Sequence, residues 1–133
     1  MVIDTSALVA ILRNEPERRR FNEAIEAAES RRMSAATFVE LSIVLEARYG
    51  AEGGRNLDLF CARASLVIAS VDAEQAELAR RAWRRYGKGR DAAGLNYGDC
   101  FSYALAVSLD DSLLFKGADF AQTDVRAHEA STR

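Results

Sequence analysis

The sequence predicts an α/β domain: a parallel sheet covered on both faces by helices. Three observations predict it. Short apolar segments alternate with stretches of helical periodicity along the whole chain. Residues 66–71 form an apolar run broken only by Ser70, the pattern of a strand buried on both faces. The length, 133 residues, suits one domain spanning 1–133 and is too short for two.

Each element has its own signal. Val2 and Ile3 form a very short first strand. A helix over 6–12 follows, with Asp4, Thr5 or Ser6 as its cap. A second helix over 17–30 starts after Pro16, a good first-turn residue, and Phe21, Ala24, Ile25 and Ala28 keep helical spacing. Arg32, Met33 and Ser34 make a short strand. The next helix, 37–49, ends at Gly50, which suits the position after a helix C-terminus. Residues 50–54 hold three glycines and read as a loop before a helix over 56–64. After the strand over 66–71, Asp72 caps a long helix to about Tyr86, with Glu74 and Glu77 in its first turns. A glycine-bounded loop from Gly87 to Gly98 leads into a helix over 97–108. A strand over 112–115 and a short last strand near Asp124 and Val125 complete the chain.

Composition excludes several classes. Hydrophobic residues are 49% and charged residues 29%, with a single proline, which excludes disorder and low-complexity repeats. No apolar run approaches the ~18 residues of a membrane span. Asp4 and the lack of a basic leading segment argue against a signal peptide, so the chain is expected in the cytoplasm. Two scattered cysteines and the lone His128 do not make a zinc site; Cys61 and Cys100 read as reduced, buried small hydrophobes and His128 as solvated. With net charge −2, any nucleic-acid partner must be met by a local basic patch. There is no phosphate-binding G-x-x-x-x-G-K-[ST] loop, no G-x-G-x-x-G after a strand and no G-x-S-x-G elbow. Thr5-Ser6 after Asp4 is not the Asp-x-Asp of a phosphoaspartate phosphatase.

In parallel sheets the reactive crevice lies beyond the carboxyl ends of the strands. Four acids fall there or at helix starts. Asp4 follows the first strand directly and reads equally as a helix cap and as a catalytic acid. Glu40 lies in Phe38-Val39-Glu40-Leu41-Ser42-Ile43-Val44, a helix apolar nearly all round and therefore expected to be buried, where an unpaired carboxylate is costly. Asp99 sits in the first turn of a helix, where the helix dipole also favours an acid, with Asn96 as the natural cap. Asp119 follows the strand 112–115 in Lys116-Gly117-Ala118-Asp119-Phe120, a position equally open to a turn aspartate. Four such carboxylates on one rim repel one another, and a divalent cation relieves that repulsion. Oxygen ligands select Mg²⁺ or Mn²⁺, and such ions activate water and neutralise charge on phosphoryl oxygens. Arg84, Arg85, Lys88 and Arg90 form a basic stretch that reads either as phosphate contacts or as a solvated helix face.

These segments resemble a known family. Val2-Ile3-Asp4-Thr5-Ser6-Ala7-Leu8 is similar to the opening of PIN-domain ribonucleases. Phe38-Val39-Glu40 resembles their second acid, and Asn96-Tyr97-Gly98-Asp99-Cys100 and Phe115-Lys116-Gly117-Ala118-Asp119-Phe120 resemble their third and fourth segments. The order and separations match over essentially the whole chain, which looks like a VapC-type toxin of a bacterial toxin–antitoxin pair. The resemblance implies a three-layer α/β/α fold with four to five short strands, a homodimer, Mg²⁺- or Mn²⁺-dependent RNA cleavage, and inhibition by a small VapB-type antitoxin. It carries the metal-binding acids onto Asp4, Glu40, Asp99 and Asp119, with Asp124 able to share the fourth role, and the supporting polar position onto Thr5 or Ser6. Two other classes fit the residues less well: an RNA-binding module of this fold without catalysis, and a metal-dependent DNA nuclease or phosphatase.

Overall fold

The computed structural model describes residues 1–132. Four short parallel strands, β1 (Val2–Ile3), β2 (Arg32–Ser34), β3 (Val67–Ala69) and β4 (Leu113–Leu114), lie in the order β3-β2-β1-β4. Helices α1 (Thr5–Leu12) and α2 (Arg18–Ala27) join β1 to β2, and α3 (Ala35–Tyr49) and α4 (Ala51–Ala64) join β2 to β3. Helices α5 (Ala73–Tyr86) and α6 (Tyr97–Leu109) return the chain to β4, beyond which Asp119–Gln122 forms a 3₁₀ turn.

Side chains that alternate along a strand point to opposite faces. Here that alternation divides the molecule into three layers. Ile3 and Leu114 join one core with Leu8, Phe21, Leu41, Leu45 and Leu57 from α1–α4. Val2 and Leu113 join a second core with Ala79, Ala82, Tyr86, Tyr103, Ala104 and Leu105 from α5 and α6. The three-layer architecture expected from the sequence is thus built on strands of only two or three residues.

Six sequence expectations change. The run around β3 is not buried on both faces, because β3 pairs only with β2 and forms an edge; Val67 is 55% exposed. An apolar run records hydrophobicity, whereas the number of neighbouring strands depends on sheet order. The three glycines at 50–54 do not make a loop. Gly50 turns the chain at φ +65°, and α4 starts at the next residue with Gly53 and Gly54 inside it. A Cβ on Gly53 would lie 2.4 Å from the Leu45 carbonyl oxygen, so these glycines permit close approach of α4 to α3. Helix α3 is not buried all round: Val39 and Ile43, one turn apart, are 55% and 63% exposed. The last extended segment pairs with the β4 region at Ala127 and Thr132, not at Asp124 and Val125. Cys61 and His128 are each half-buried, and the His128 Nδ1 accepts the Ala130 N–H at 3.1 Å.

Candidate active site

The sheet order reverses between β1 and β4, whose connections leave on opposite faces. In open parallel sheets the reactive groups gather at such a switch point, at the carboxyl ends of the strands. Asp4 follows β1 there, and the Lys116–Phe120 loop follows β4. The two edges are stitched by hydrogen bonds from the Asp4 N–H to the Leu114 carbonyl, at 3.0 Å, and from the Lys116 N–H to Ser6 Oγ, at 3.0 Å.

Asp4 is 4% exposed, and both of its oxygens accept hydrogen bonds. It caps α1: its Oδ2 accepts the Ser6 N–H at 3.0 Å and the Ser6 hydroxyl at 2.7 Å. Its Oδ1 accepts the Ser102 hydroxyl at 2.5 Å, and Ser102 Oγ lies 3.2 Å from Thr37 Oγ1. Cap and site residue are therefore compatible roles for Asp4, since the same bonds that start the helix also fix the carboxylate.

Asp99 occupies the first turn of α6 in a reciprocal capping box. Asn96 Oδ1 accepts the Asp99 N–H at 2.9 Å, and Asp99 Oδ2 accepts the Asn96 N–H at 3.0 Å. Burial pushes the Asp99 carboxyl up to about 7; the Asn96 N–H opposes the rise, and the charges of Asp4, Asp119 and Glu40 add to it. Those three acids, read from separate segments, thus act on one carboxyl. The same burial, with the charge of Asp99, pushes the adjacent Cys100 thiol up to about 11.

Glu40 comes from α3 and is half-buried, with its Oε1 accepting the Thr5 hydroxyl at 2.7 Å. Gly98 makes room for it: a Cβ there would lie 1.9 Å from Glu40 Oε2. Asp119 is exposed at the start of the 3₁₀ turn. Asp124 is tied elsewhere. It accepts the Tyr103 hydroxyl at 2.5 Å and pairs with Arg85 at 3.1 Å, and these contacts hold its carboxyl below the usual range.

Among the described residues, none of Asp4, Glu40, Asp99 and Asp119 forms an ion pair. Lys116, three residues from Asp119, turns away to Glu15 at 2.6 Å and Glu17 at 3.0 Å. Neither do the acids form a finished metal cage: among the described residues no three such side chains converge on one ion position.

The basic stretch divides. Arg85 is engaged by Asp124 and lies over the Tyr86 ring at 4.9 Å. Arg90 lies over the Trp83 ring at 4.8 Å and donates to the Arg84 carbonyl. Arg84 and Lys88 are exposed. Sequence reasoning missed Ser102, Thr37 and Gly98. A serine and a threonine on apolar helix stripes are the available signal, for a buried hydroxyl needs a partner.

The PIN domain family profile matches residues 1–126. The VapC ribonuclease of Mycolicibacterium smegmatis is 58% identical over 127 residues, 96% of this chain and 98% of that protein. The chain belongs to the VapC ribonuclease branch of the PIN-domain family. Its VapC fold is also that of two distant solved structures. VapC20 of Mycobacterium tuberculosis, a sarcin-ricin loop cleaving toxin, superimposes with TM-score 0.74 at 16% identity, covering 93% of this chain and 95% of that one. VapBC-1 of nontypeable Haemophilus influenzae does so with TM-score 0.71 at 16% identity, covering 97% and 96%. In this VapC chain Asp4 and the loop that carries Asp119 follow the two strands of the switch point, and Glu40 and Asp99 approach from α3 and α6.

Proposed function

We propose that this VapC-family chain is an endoribonuclease toxin that needs Mg²⁺ or Mn²⁺, with Asp4, Glu40, Asp99 and Asp119 as the residues that hold the ion. The observation that carries this reading is a set of four acids from separate segments, none of which forms an ion pair among the described residues, with burial and the other three charges raising Asp99 to about 7. Such a set fits a divalent cation. Its donors are carboxylate and hydroxyl oxygens, which suit Mg²⁺ or Mn²⁺ rather than zinc. Glu40 and Asp119 have the exposure to swing inward while Asp4 and Asp99 stay pinned. When bound, the cation supplies positive charge to phosphoryl oxygens and acidifies water.

The chain's own groups do the rest. Ser6 and Ser102 saturate the inner side of Asp4 and set its orientation. Asn96 holds Asp99, and Thr5 and Gly98 admit Glu40 beside it. Purified protein is expected to cleave single-stranded RNA with Mg²⁺ or Mn²⁺ and to stop in excess EDTA. Undiminished cleavage after exhaustive chelation would remove the ion from the mechanism, and cleavage of DNA in preference to RNA would overturn the substrate class.

Ser102→Ala tests the pinning of Asp4. It removes a buried donor 2.5 Å from the carboxylate. Cleavage should fall about 10-fold, on the scale of lost groups that orient metal ligands. Stability should fall by about 1–2 kcal/mol, measured by denaturant unfolding. An unchanged cleavage rate would make the hydroxyl a purely structural bond.

The family reading brings two partners. The exposed Val39 and Ile43 on α3 support a homodimer, since an apolar stripe on a small protein favours self-association. A small VapB-type antitoxin is the other. Co-expression of a short neighbouring open reading frame should bind the chain and restore growth of cells that it poisons; a neighbour that neither binds nor protects would count against the pairing.

A further inference from the structure

A groove of about 580 Å³ opens between α5 and α6, lined by Arg80, Trp83 and Arg84 on one wall and Tyr97, Cys100 and Phe101 on the other. Its volume is in the range of small-molecule sites. Three features point to its occupant. The first is aromatic surface left in water. Tyr97 is 79% exposed, set edge-on to Phe101 at 4.9 Å, and Trp83 is 43% exposed. The second is charge. Arg84 makes no ion pair among the described residues, and Arg90 lies over the Trp83 ring at 4.8 Å. The third is position. Tyr97 and Asp99 share the first turn of α6, and Cys100, in the groove wall, directly follows Asp99. The groove therefore starts in the same helical turn as Asp99, on a different face of α6.

Exposed rings beside guanidinium groups are how proteins hold single-stranded nucleic acid: bases stack on the rings and phosphates meet the cations. We propose that the α5–α6 groove is a base-binding subsite, in which a nucleobase of the bound RNA strand stacks on Tyr97 and Trp83 while Arg84 meets an adjoining phosphate. This deepens the ribonuclease reading and rests on it. A protein partner fits less well. Exposed rings flanked by Arg80, Arg84 and Arg90 match a nucleotide strand better than an apolar helix.

Trp83 is the only tryptophan of the chain, so its fluorescence reports this groove alone. Wild-type protein in EDTA is titrated with a mixed pool of ten-nucleotide single-stranded RNA, and in parallel with an abasic ribose-phosphate strand of equal length. RNA is expected to quench Trp83 saturably, and the abasic strand to leave it nearly unchanged. Tyr97→Ala should weaken RNA binding by about 5- to 150-fold, the scale of one lost stacked base. Tyr97 is exposed, so this variant should keep its fold, and the abasic comparison needs no variant at all. Cleavage of the same RNA by wild type in Mg²⁺ is scored separately. Cleavage together with equal responses to RNA and abasic strands, or with wild-type affinity in Tyr97→Ala, overturns the subsite and leaves the ribonuclease reading standing. RNA that leaves Trp83 emission unchanged, as when a dimer or an antitoxin covers the groove, overturns the subsite in the same way. Absence of cleavage strikes the ribonuclease reading on its own measurement, and base-dependent quenching would still support the groove.

Discussion

Asp4→Asn and Asp99→Asn are each expected to lower RNA cleavage by at least about 10²–10³-fold, the scale on which a single preorganised electrostatic group counts, and to abolish growth toxicity. Both changes keep side-chain volume. At position 99 the amide oxygen can still accept the Asn96 N–H, and at position 4 it can still accept the Ser6 bonds that cap α1, though not the Ser102 hydroxyl as well. What they remove is negative charge. Circular dichroism and a cooperative melt should therefore show a folded protein, while cleavage in Mg²⁺ drops to background. Near-normal cleavage by either folded variant would take that residue out of the site. Asp124→Asn is the contrast. Asp124 is engaged by Tyr103 and Arg85 and does not act on Asp99, so cleavage should change by less than about 3-fold, the effect of an exposed ion pair.

The metal-free wild-type protein is expected to grow more stable as pH falls from 8 to 5, relative to Asp99→Asn. The folded carboxyl of Asp99 titrates at about 7, above its ordinary value of 3.8. A raised carboxyl favours protonation in the folded state. It therefore destabilises the fold fully above about 7, and the penalty is relieved as pH drops towards 3.8. About three pK units set a ceiling of about 4 kcal/mol; screening by water at the rim reduces this to about 1–3 kcal/mol. That corresponds to roughly 3–10 °C for a domain of this size. In EDTA, Asp99→Asn should melt higher than wild type at pH 8 by that amount, and the gap should narrow steadily by pH 5 and close only towards pH 3.8. The difference between the proteins is the readout, because burial also depresses the His128 imidazole and so pulls stability the other way below pH 6.5. Mg²⁺ should raise the melting temperature of wild type more than that of the variant. An Asp99→Asn protein that melts well below wild type at pH 8 would mean that the charged capping box outweighs the repulsion.

Much of this protein was legible from its chain. Strand and helix alternation, the caps at Asp4 and Asn96, and four acids placed after strands or at helix starts are local signals. Each depends on residues within a turn or two. The fold class, the three layers and the candidate acids follow from them.

What the sequence by itself could not decide depends on contacts between distant segments. Strand order made β3 an edge, although its residues read as buried. Helix packing turned Gly53 and Gly54 from a loop signal into the contact of α4 with α3. Only the fold separates Asp119 from Asp124: both lie beyond β4, but Tyr103 and Arg85 reach one of them while the other acts on Asp99. It also set Ser102 against Asp4 across 98 residues of chain and turned Lys116 away from the acids. Local propensity carries hydrophobic period and capping chemistry, whereas the charge state of a buried carboxyl is a sum over neighbours from α1, α3, α6 and the β4 loop, and only tertiary structure assembles that sum.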